Sequence, residues 1–189
     1  MFPLSAPRAG AAPLLTPAQT PATADVVVAA QRGDRAAFAE LYRAHVRMVH
    51  GVLLARVPRT DVDDLVQEVF LTAIERLESL REAAAFPGWL AAIARNHAAD
   101  HHRRRPAETV ELPGDLAAPR DDSHEALMVL DAVRSLPDAY RETLILRLVE
   151  GMTGPEIAAR TGLTEGSVRV NLHRGMKLLR SRLDGEAAP

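Results

Sequence analysis

The chain of 189 residues contains no cysteine. This absence excludes a disulfide framework, a thiolate zinc site and a cysteine nucleophile. Long hydrophobic runs are also missing, since no stretch approaches the roughly 18 uninterrupted apolar residues that a membrane span requires. The Ala- and Pro-rich start lacks the compact apolar block of a signal peptide. We therefore expect a soluble, cytoplasmic protein without direct membrane insertion.

An excess of either charge is also missing from the chain as a whole, because the formal net charge is only -2. The charges are nevertheless unevenly placed. Residues 106–131 contain one base, Arg120, and the acids Glu108, Glu111, Asp115, Asp121, Asp122, Glu125 and Asp131. Residues 165–183 contain one acid, Glu165, and the bases Arg169, Arg174, Lys177, Arg180 and Arg182. A basic stripe on one predicted helix indicates a surface for nucleic acid.

Three segments of the first half have apolar residues three or four positions apart, which predicts amphipathic helices. The first segment ends before Pro58, Asp61 caps the second, and the third runs from about Phe86 to Arg103. No segment alternates with a period of two over a strand's length, so the predicted fold class is all-α. The predicted apolar stripe of the second helix comprises Leu65, Val66, Val69, Phe70, Ala73, Ile74 and Leu77.

Proline-rich stretches divide the chain. Residues 1–24 combine repeated prolines with no apolar periodicity, which predicts a disordered tail. Residues 106–123 combine prolines with acids, which predicts an exposed acidic linker. We therefore expect two small helical domains, residues 25–105 and residues 124–185. In the second domain one helix carries Leu127, Leu130 and Val133, and Pro137 opens the next.

The second domain contains the pattern of a helix-turn-helix. Thr153 and Glu156 have the spacing of a capping box at a helix start. Gly162 stands where a tight turn needs a positive φ, and Thr164 can cap the following helix. In that helix Val168, Leu172 and Leu179 define the inward face, and the residues expected to point outward are Arg169, Asn171, His173, Arg174 and Lys177.

Groove geometry explains this arrangement, because a helix fits the major groove of B-DNA. There an arginine can bind guanine bidentately and an asparagine can bind adenine, each good pair contributing about 1–3 kcal/mol of discrimination. Arg180 and Arg182 lie further along and are expected to meet phosphates or solvent. The alternative is a helical hairpin with an ordinary solvated basic face. The coincidence of capping box, turn glycine and basic second helix favours DNA recognition.

Four blocks of sequence, in this order, resemble the extracytoplasmic-function sigma factors of the bacterial sigma-70 family. They are residues 63–70 (DDLVQEVF), residues 86–96 (FPGWLAAIARN) with Asp100 and the run Arg103 to Arg105, residues 136–142 (LPDAYRE), and residues 166–174 (GSVRVNLHR). The resemblance spans residues 25–183. It implies that residues 25–105 correspond to sigma region 2 and residues 127–183 to sigma region 4.

For region 2 the resemblance implies binding to the clamp-helix coiled coil of the polymerase β′ subunit and to the -10 promoter element. By motif position the residues facing β′ would be Asp64, Gln67, Glu68 and Phe70. Early on this helix lie Asp63, Asp64, Gln67 and Glu68, a cluster that could meet a basic partner helix. Without the resemblance, the same residues read as the solvated side of an amphipathic helix.

The resemblance places capture of a flipped -10 base in residues 80–86, with basic residues following the separated strand. The -10 and melting residues would be Arg81, Glu82, Phe86, Trp89, Arg95, Asn96, Arg103 and Arg104. Opening DNA without ATP requires binding energy that offsets unstacking. Residues 83–85 are alanines and offer no side-chain hydrogen bonds. Phe86 and Trp89 could stack on bases, but their apolar helical spacing favours core positions.

For region 4 the resemblance implies reading of the -35 element and contact with the β flap. The -35 residues would be Arg169, Val170, Asn171, His173, Arg174 and Lys177. The family also implies an anti-sigma factor that occludes these surfaces, and it implies no metal, no cofactor and no enzymatic activity. The acidic linker could mimic nucleic acid in the RNA exit path or serve as a solubilising tether.

Two other functions fit parts of the sequence. His97 and His101 lie four apart beside Asp100 and His102, which suggests a metal-dependent enzyme, although no pocket of acids accompanies them. A repressor or activator could use the same helix-turn-helix, with the first domain as a sensor or dimerisation unit. The sigma-factor hypothesis accounts for both halves of the chain.

Overall fold

The computed structural model describes residues 23–104 and 122–184, and within these ranges it contains eight α-helices and no strand. The all-α prediction is confirmed there. None of these helices is long and apolar enough to cross a membrane. In chain order they are α1 (Thr23–Gln31), α2 (Arg35–Leu54), α3 (Val62–Arg76), α4 (Phe86–Arg104), α5 (Asp122–Arg134), α6 (Asp138–Leu148), α7 (Gly154–Thr161) and α8 (Glu165–Leu183).

Most of the predicted tail and of the predicted linker lies outside the described residues. Where the tail and linker enter the described ranges, they are helical: Thr23 and Ala24 begin α1, and Asp122 and Ser123 begin α5. The sequence did not predict α1, because nine residues are too short to display a clear period. Packing holds α1 in place, since Val26 and Val27 are buried and the Gln31 side chain donates hydrogen bonds to two carbonyls beyond α3.

Helices α1 to α4 form a bundle around a core supplied mainly by α2. The α1–α2 turn uses Gly33 at φ 89°, and the Asp34 carboxylate then accepts hydrogen bonds from the backbone N–H groups of Ala36 and Ala37. This N-cap satisfies donors that would otherwise lack partners in the first turn. The fully or nearly fully buried residues include Leu41, Met48, Val49, Val52, Leu53, Val69, Ala73, Phe86, Leu90 and Ala94.

Two predictions for α3 are wrong. Asp61 precedes the helix but its side chain makes no capping hydrogen bond; instead its carboxylate lies 3.0 Å from His101 Nε2 and accepts a hydrogen bond from the Thr60 hydroxyl. Ile74, assigned to the inward stripe, is 50% exposed. Its position is at the edge of that stripe, and neighbouring helices do not cover it.

Helices α5 to α8 form the second half, which contains the predicted helix-turn-helix in α7 and α8. Its buried side chains include Leu144, Ile145 and Leu146 of α6. A Cβ atom added to Gly175 would lie 3.0 Å from the Leu144 side chain, so glycine allows α8 to approach α6 closely. On α5, Val133 is buried but Leu127 remains 44% exposed, so the predicted apolar stripe of that helix is only partly covered.

The two halves pack directly against each other through α2 with α6 and α4 with α7. Gly51 of α2 faces Leu146 of α6 so closely that an added Cβ would lie 2.6 Å from the leucine side chain. A Cβ added to Gly88 would lie 3.5 Å from Gly162 Cα. Gly51 thus allows an approach of α2 to α6 that a larger residue would hinder, whereas the distance at Gly88 is that of an ordinary van der Waals contact. The buried apolar residues of both halves consequently form one continuous cluster.

Ion pairs and hydrogen bonds border this contact. Glu150, 7% exposed, accepts a hydrogen bond from His50 Nδ1 at 2.7 Å, and its other carboxylate oxygen lies 3.6 Å from Arg47 Nε. The Arg141 guanidinium donates to the carbonyl of Ala55 at 3.1 Å, and the Arg160 guanidinium donates to the carbonyl of Ala44.

Below about pH 6.5, the His50–Glu150 pair is expected to contribute more stability than at alkaline pH. The hydrogen bond to Glu150 raises the pKa of His50, outweighing the opposing effect of burial. A group whose folded pKa exceeds its unfolded value of about 6.5 contributes its full stabilisation below that value. The contribution disappears as the pH rises through the folded pKa. Because the His50 side chain is 36% exposed, we expect no more than about 1 kcal/mol.

Urea unfolding of the wild type and of His50→Gln at about pH 5.5 and about pH 8.5 measures this effect. Burial lowers the pKa of His45, which opposes stability at acidic pH, but His45 is present in both proteins and cancels in the difference. The free energy of unfolding of the wild type minus that of His50→Gln should be larger at acidic pH than at alkaline pH. A difference that stays constant or grows with pH would contradict this account.

Candidate nucleic-acid and partner interfaces

The helix-turn-helix is held by local caps at both of its helix starts. Thr153 Oγ1 accepts a hydrogen bond from the Glu156 N–H, and a Glu156 carboxylate oxygen accepts one from the Thr153 N–H at 2.8 Å. The Thr153 N–H and the Thr153 hydroxyl both donate to the Glu156 carboxylate, and these two bonds lower the pKa of Glu156. Gly162 ends α7 in the left-handed conformation at φ 76°, and Thr164 Oγ1 accepts from the Ser167 N–H at 3.1 Å. The capping box, turn glycine and second cap are confirmed.

Helix α8 separates a buried face from a basic exposed face. Val168 and Leu179 are 1% and 3% exposed, and Leu172 is half-buried, as predicted. The opposite face is open over about three turns, and its exposed residues are Arg169, Val170, His173, Arg174 and Lys177. Exposed guanidinium groups on a helix beside a rigid turn can enter a major groove without rearrangement of the second half.

Asn171 differs from the other predicted -35 residues because it is half-buried at the edge of this face. It lines a cavity of about 300 Å³ between the two halves, together with Arg95 and Glu142. Bidentate contact of its amide with adenine therefore requires more exposure than this structure provides.

Helix α3 presents a second exposed face. Asp64, Gln67 and Glu68 are exposed, as the sequence resemblance implied. Glu68 lies 3.4 Å from His97 Nδ1 of α4 but keeps half of its side-chain surface. Phe70 is a correction: it is 5% exposed and its ring centroid lies 4.5 Å from that of Tyr42. Phe70 therefore packs inside the first half, and almost none of its surface is left for a partner.

Two apolar residues also belong to this surface and were not predicted to do so: Leu71 and Ile74, which are 61% and 50% exposed. They lie seven residues after Asp64 and Gln67, so each shares a helix face with the corresponding polar residue. This separation of seven residues was the sequence signal that could have assigned Leu71 and Ile74 to the exposed face. We define the α3 face as Asp64, Gln67, Glu68, Leu71 and Ile74. Exposed apolar side chains beside polar and acidic groups are the composition of a protein-binding surface.

The predicted -10 residues are distributed over α4 and the segment before it. Arg81 and Glu82 are exposed, and Trp89 is half-buried. Phe86 is fully buried, with its ring edge-to-face against His45 at a centroid distance of 5.2 Å and 5.9 Å from Trp89. The core interpretation thus holds for Phe86 in this structure. The exposed groups further along α4 are Asn96, Arg103 and Arg104.

Arg95 is the predicted -10 residue whose charged group is held by the second half of the chain. Its guanidinium donates two hydrogen bonds to the carboxylate of Glu142 on α6, at 2.8 and 3.1 Å, and a third at 3.3 Å to the carbonyl of Thr161. A bidentate arginine–carboxylate pair is among the strong charge-assisted contacts. In this conformation Arg95 binds the second half of the chain.

The histidines near the end of α4 have separate partners. His97 contacts Glu68 and the Thr72 hydroxyl, His101 contacts Asp61, and His102 contacts the carbonyl of Arg56. Among the side chains of residues 23–104 and 126–184, no three histidines or carboxylates come together as metal ligands. The arrangement therefore gives no support to the metal-enzyme alternative.

Comparison with known proteins places both halves in one family. The model "Sigma-70 region 2" matches residues 41–107, and the model "Sigma-70, region 4" matches residues 126–179. The chain is 35% identical over 160 residues to the RNA polymerase sigma factor CarQ of Myxococcus xanthus, covering 80% of this chain and 91% of CarQ. It is 30% identical over 171 residues to the ECF RNA polymerase sigma-E factor of Haemophilus influenzae, covering 81% and 90%.

A solved structure agrees with these sequence relationships. CnrH, determined in complex with the cytosolic domain of CnrY, matches with a TM-score of 0.62 and 28% identity, over 88% of this chain and 99% of that chain. The fold, the order of the two matched regions and the full-length relatives lead to one assignment. The chain belongs to the extracytoplasmic-function (ECF) group of the sigma-70 family of RNA polymerase sigma factors.

Proposed function

We propose that this protein binds core RNA polymerase in the cytoplasm and directs it to promoters by recognising their -10 and -35 elements. Sigma factors are initiation factors and not enzymes. The observation that carries the proposal is the exposed basic face of α8, held by two caps and a turn glycine. The first half, with its own exposed α3 face, distinguishes this proposal from a simple DNA-binding regulator.

In the proposed -35 complex, α8 enters the major groove with Arg169, His173 and Arg174 toward base edges. Val170 is 43% exposed and suits contact with a thymine methyl group. Lys177 lies one turn further along and suits a phosphate. Asn171 becomes available for a base when the cavity between the halves opens.

In the proposed polymerase complex, the α3 face contacts the clamp helices of β′ and the second half contacts the β flap. The carboxylates of Asp64 and Glu68 would steer a basic partner helix, and Leu71 and Ile74 would supply the apolar area. The assignment of the α3 face to β′ binding is supported by exposure, since these four side chains are accessible whereas Phe70 is buried.

In the proposed -10 complex, α4 follows the separated strand through Arg95, Asn96, Arg103 and Arg104. Arg81 and Glu82 remain the polar candidates for the pocket of an extruded base, because Phe86 belongs to the core. Half-buried Trp89 retains some surface for a base. Positive charge along the strand and a pocket for the base together offset the cost of unstacking.

An anti-sigma factor is the proposed regulatory partner. The similar protein CnrH was determined in complex with the cytosolic domain of CnrY. A comparable partner for this chain would cover the α3 face or the exposed apolar residues Leu127, Met128, Leu148 and Val149 of the second half. Either position would compete with polymerase.

The deciding experiment is promoter-directed transcription by core polymerase with and without the full chain. Promoters are identified first by mapping transcription start sites after overexpression, which supplies both promoter elements at once. We expect specific transcripts only when the protein is added. A repressor or activator would bind the same DNA but would not replace a sigma factor, so absence of transcripts with bound DNA would favour the alternative.

A further inference from the structure

The structure contains a carboxylate clamped between two arginines at the contact between the halves. Glu142 of α6 is 4% exposed. One of its oxygens lies 2.7 Å from Arg56 Nη2 and 3.1 Å from Arg95 Nε, and the other lies 2.8 Å from Arg95 Nη2. Both arginines belong to the first half, whereas the carboxylate belongs to the second.

The two guanidinium groups form an anion site that remains with the first half when the halves separate. Phosphate and carboxylate oxygens accept the same forked donors from arginine. Arg56 lies immediately beyond α2, and its carbonyl accepts a hydrogen bond from His102 at 2.7 Å, which ties it to α4. The pair therefore lies along the helix that carries the proposed single-strand residues.

We propose that Arg56 and Arg95 form a phosphate-binding pair for single-stranded promoter DNA, and that Glu142 occupies this pair in the free chain. This inference rests on the proposed function, because it takes α4 as the track of the strand. Arg56, which is not among the -10 residues predicted from the sequence, thereby becomes a DNA-binding residue. While the two halves are packed together, DNA binding by the first half is inhibited, because DNA and the second half compete for the same two arginines.

Apolar side chains of both halves also meet in this contact, and the other polar groups of the contact are compatible with separation. Arg160 and Arg141 donate across it to backbone carbonyls, which can bind water when the halves part. Gly51 allows close approach without an interlocking side chain of its own. Separation of the halves hydrates the Glu142 carboxylate, so its release does not leave an unpaired buried charge. Release of Glu142 and binding of another anion are coupled because both anions need the same two guanidinium groups.

Oligothymidylate tests the competition, because it offers phosphates without promoter sequence. Binding of a fluorescent dT20 to the full chain is measured by anisotropy at low salt. Glu142→Gln removes the competing charge, and we expect dT20 to bind about fivefold tighter or more. Glu78→Gln is the matched control, since it removes the same charge from an exposed residue and should have a much smaller effect.

A second variant opens the contact without changing charge. The three atoms nearest to an added Cβ at Gly51 all belong to Leu146 and Glu150 of the second half. Gly51→Leu should therefore push the halves apart, increase the radius of gyration in X-ray scattering, and tighten dT20 binding as Glu142→Gln does. Circular dichroism establishes that each variant is folded.

The double variant Glu142→Gln with Arg56→Ala separates the two parts of the proposal. If Arg56 binds phosphate, the double variant binds dT20 several-fold more weakly than Glu142→Gln. If Arg56 only joins the halves, the double variant binds as tightly as Glu142→Gln, and the phosphate assignment is overturned. Unchanged dT20 affinity in folded Glu142→Gln and Gly51→Leu overturns the autoinhibition.

These outcomes are distinct from failure of the proposed function. If the wild type supports promoter-directed transcription but the variants leave dT20 binding unchanged, the sigma function stands and the inference falls. If neither the wild type nor any variant supports transcription, the proposed function is wrong, whatever the dT20 result.

Discussion

Arg169→Ala and Arg174→Ala should each reduce transcription from a promoter with the cognate -35 sequence by roughly ten- to a hundredfold. Both guanidinium groups are exposed on α8, and each bidentate contact with guanine is worth about 1–3 kcal/mol of discrimination. The assay uses purified core polymerase and a promoter defined by start-site mapping. Binding of core polymerase is measured in parallel and should not change.

Arg182→Ala provides the matched control for these variants. Arg182 is also an exposed arginine of α8, so the variant removes the same charge from the same helix. It lies further along α8, where phosphate or solvent is the expected neighbour. Its effect should be smaller and equal on promoters with altered -35 sequences. If Arg169→Ala or Arg174→Ala lost core binding in proportion to transcription, α8 would not be the recognition helix.

The helix-turn-helix could be predicted from sequence because its determinants are local. Thr153 and Glu156 are three residues apart, and Gly162 and Thr164 lie six and eight residues after Glu156. Each signal has a direct steric or hydrogen-bonding cause. The resulting caps depend little on the rest of the chain, so the structure reproduces them.

Predictions that depended on which side of a helix is covered were less reliable. Phe70 and Ile74 both belonged to a broad apolar stripe, yet Phe70 packs on Tyr42 while Ile74 is half exposed. Helical periodicity gives the direction of a side chain but not the neighbour that covers it. The same limit applies to Phe86, whose role depended on whether His45 lay against its ring.

Contacts between distant segments could not be predicted at all. Glu142 and Arg95 are 47 residues apart, and Glu150 and His50 are 100 apart. The sequence pattern at Glu142 indicates only a polar position early in α6. Packing of the two halves converts it into a buried ion pair, which no local rule anticipates.

Gln67→Ala combined with Glu68→Ala should weaken binding of core polymerase by about tenfold or more while leaving DNA binding by α8 intact. Both side chains are exposed at the centre of the α3 face, where a few residues usually dominate the binding energy. Loss of Glu68 also removes its contact with His97, a partly exposed pair expected to contribute about 1 kcal/mol or less. The fold should therefore remain stable.

The measurement is the affinity of the full chain for core polymerase and, separately, for a protein fragment containing the β′ clamp helices. Arg169→Ala serves as the control, because its charge lies on the other half and its core affinity should equal that of the wild type. Leu71→Ala, which removes the most exposed apolar side chain of the α3 face, should weaken the same binding without a change of charge. A double variant with wild-type affinity for the clamp helices would show that the α3 face is a solvated surface and that polymerase binds elsewhere.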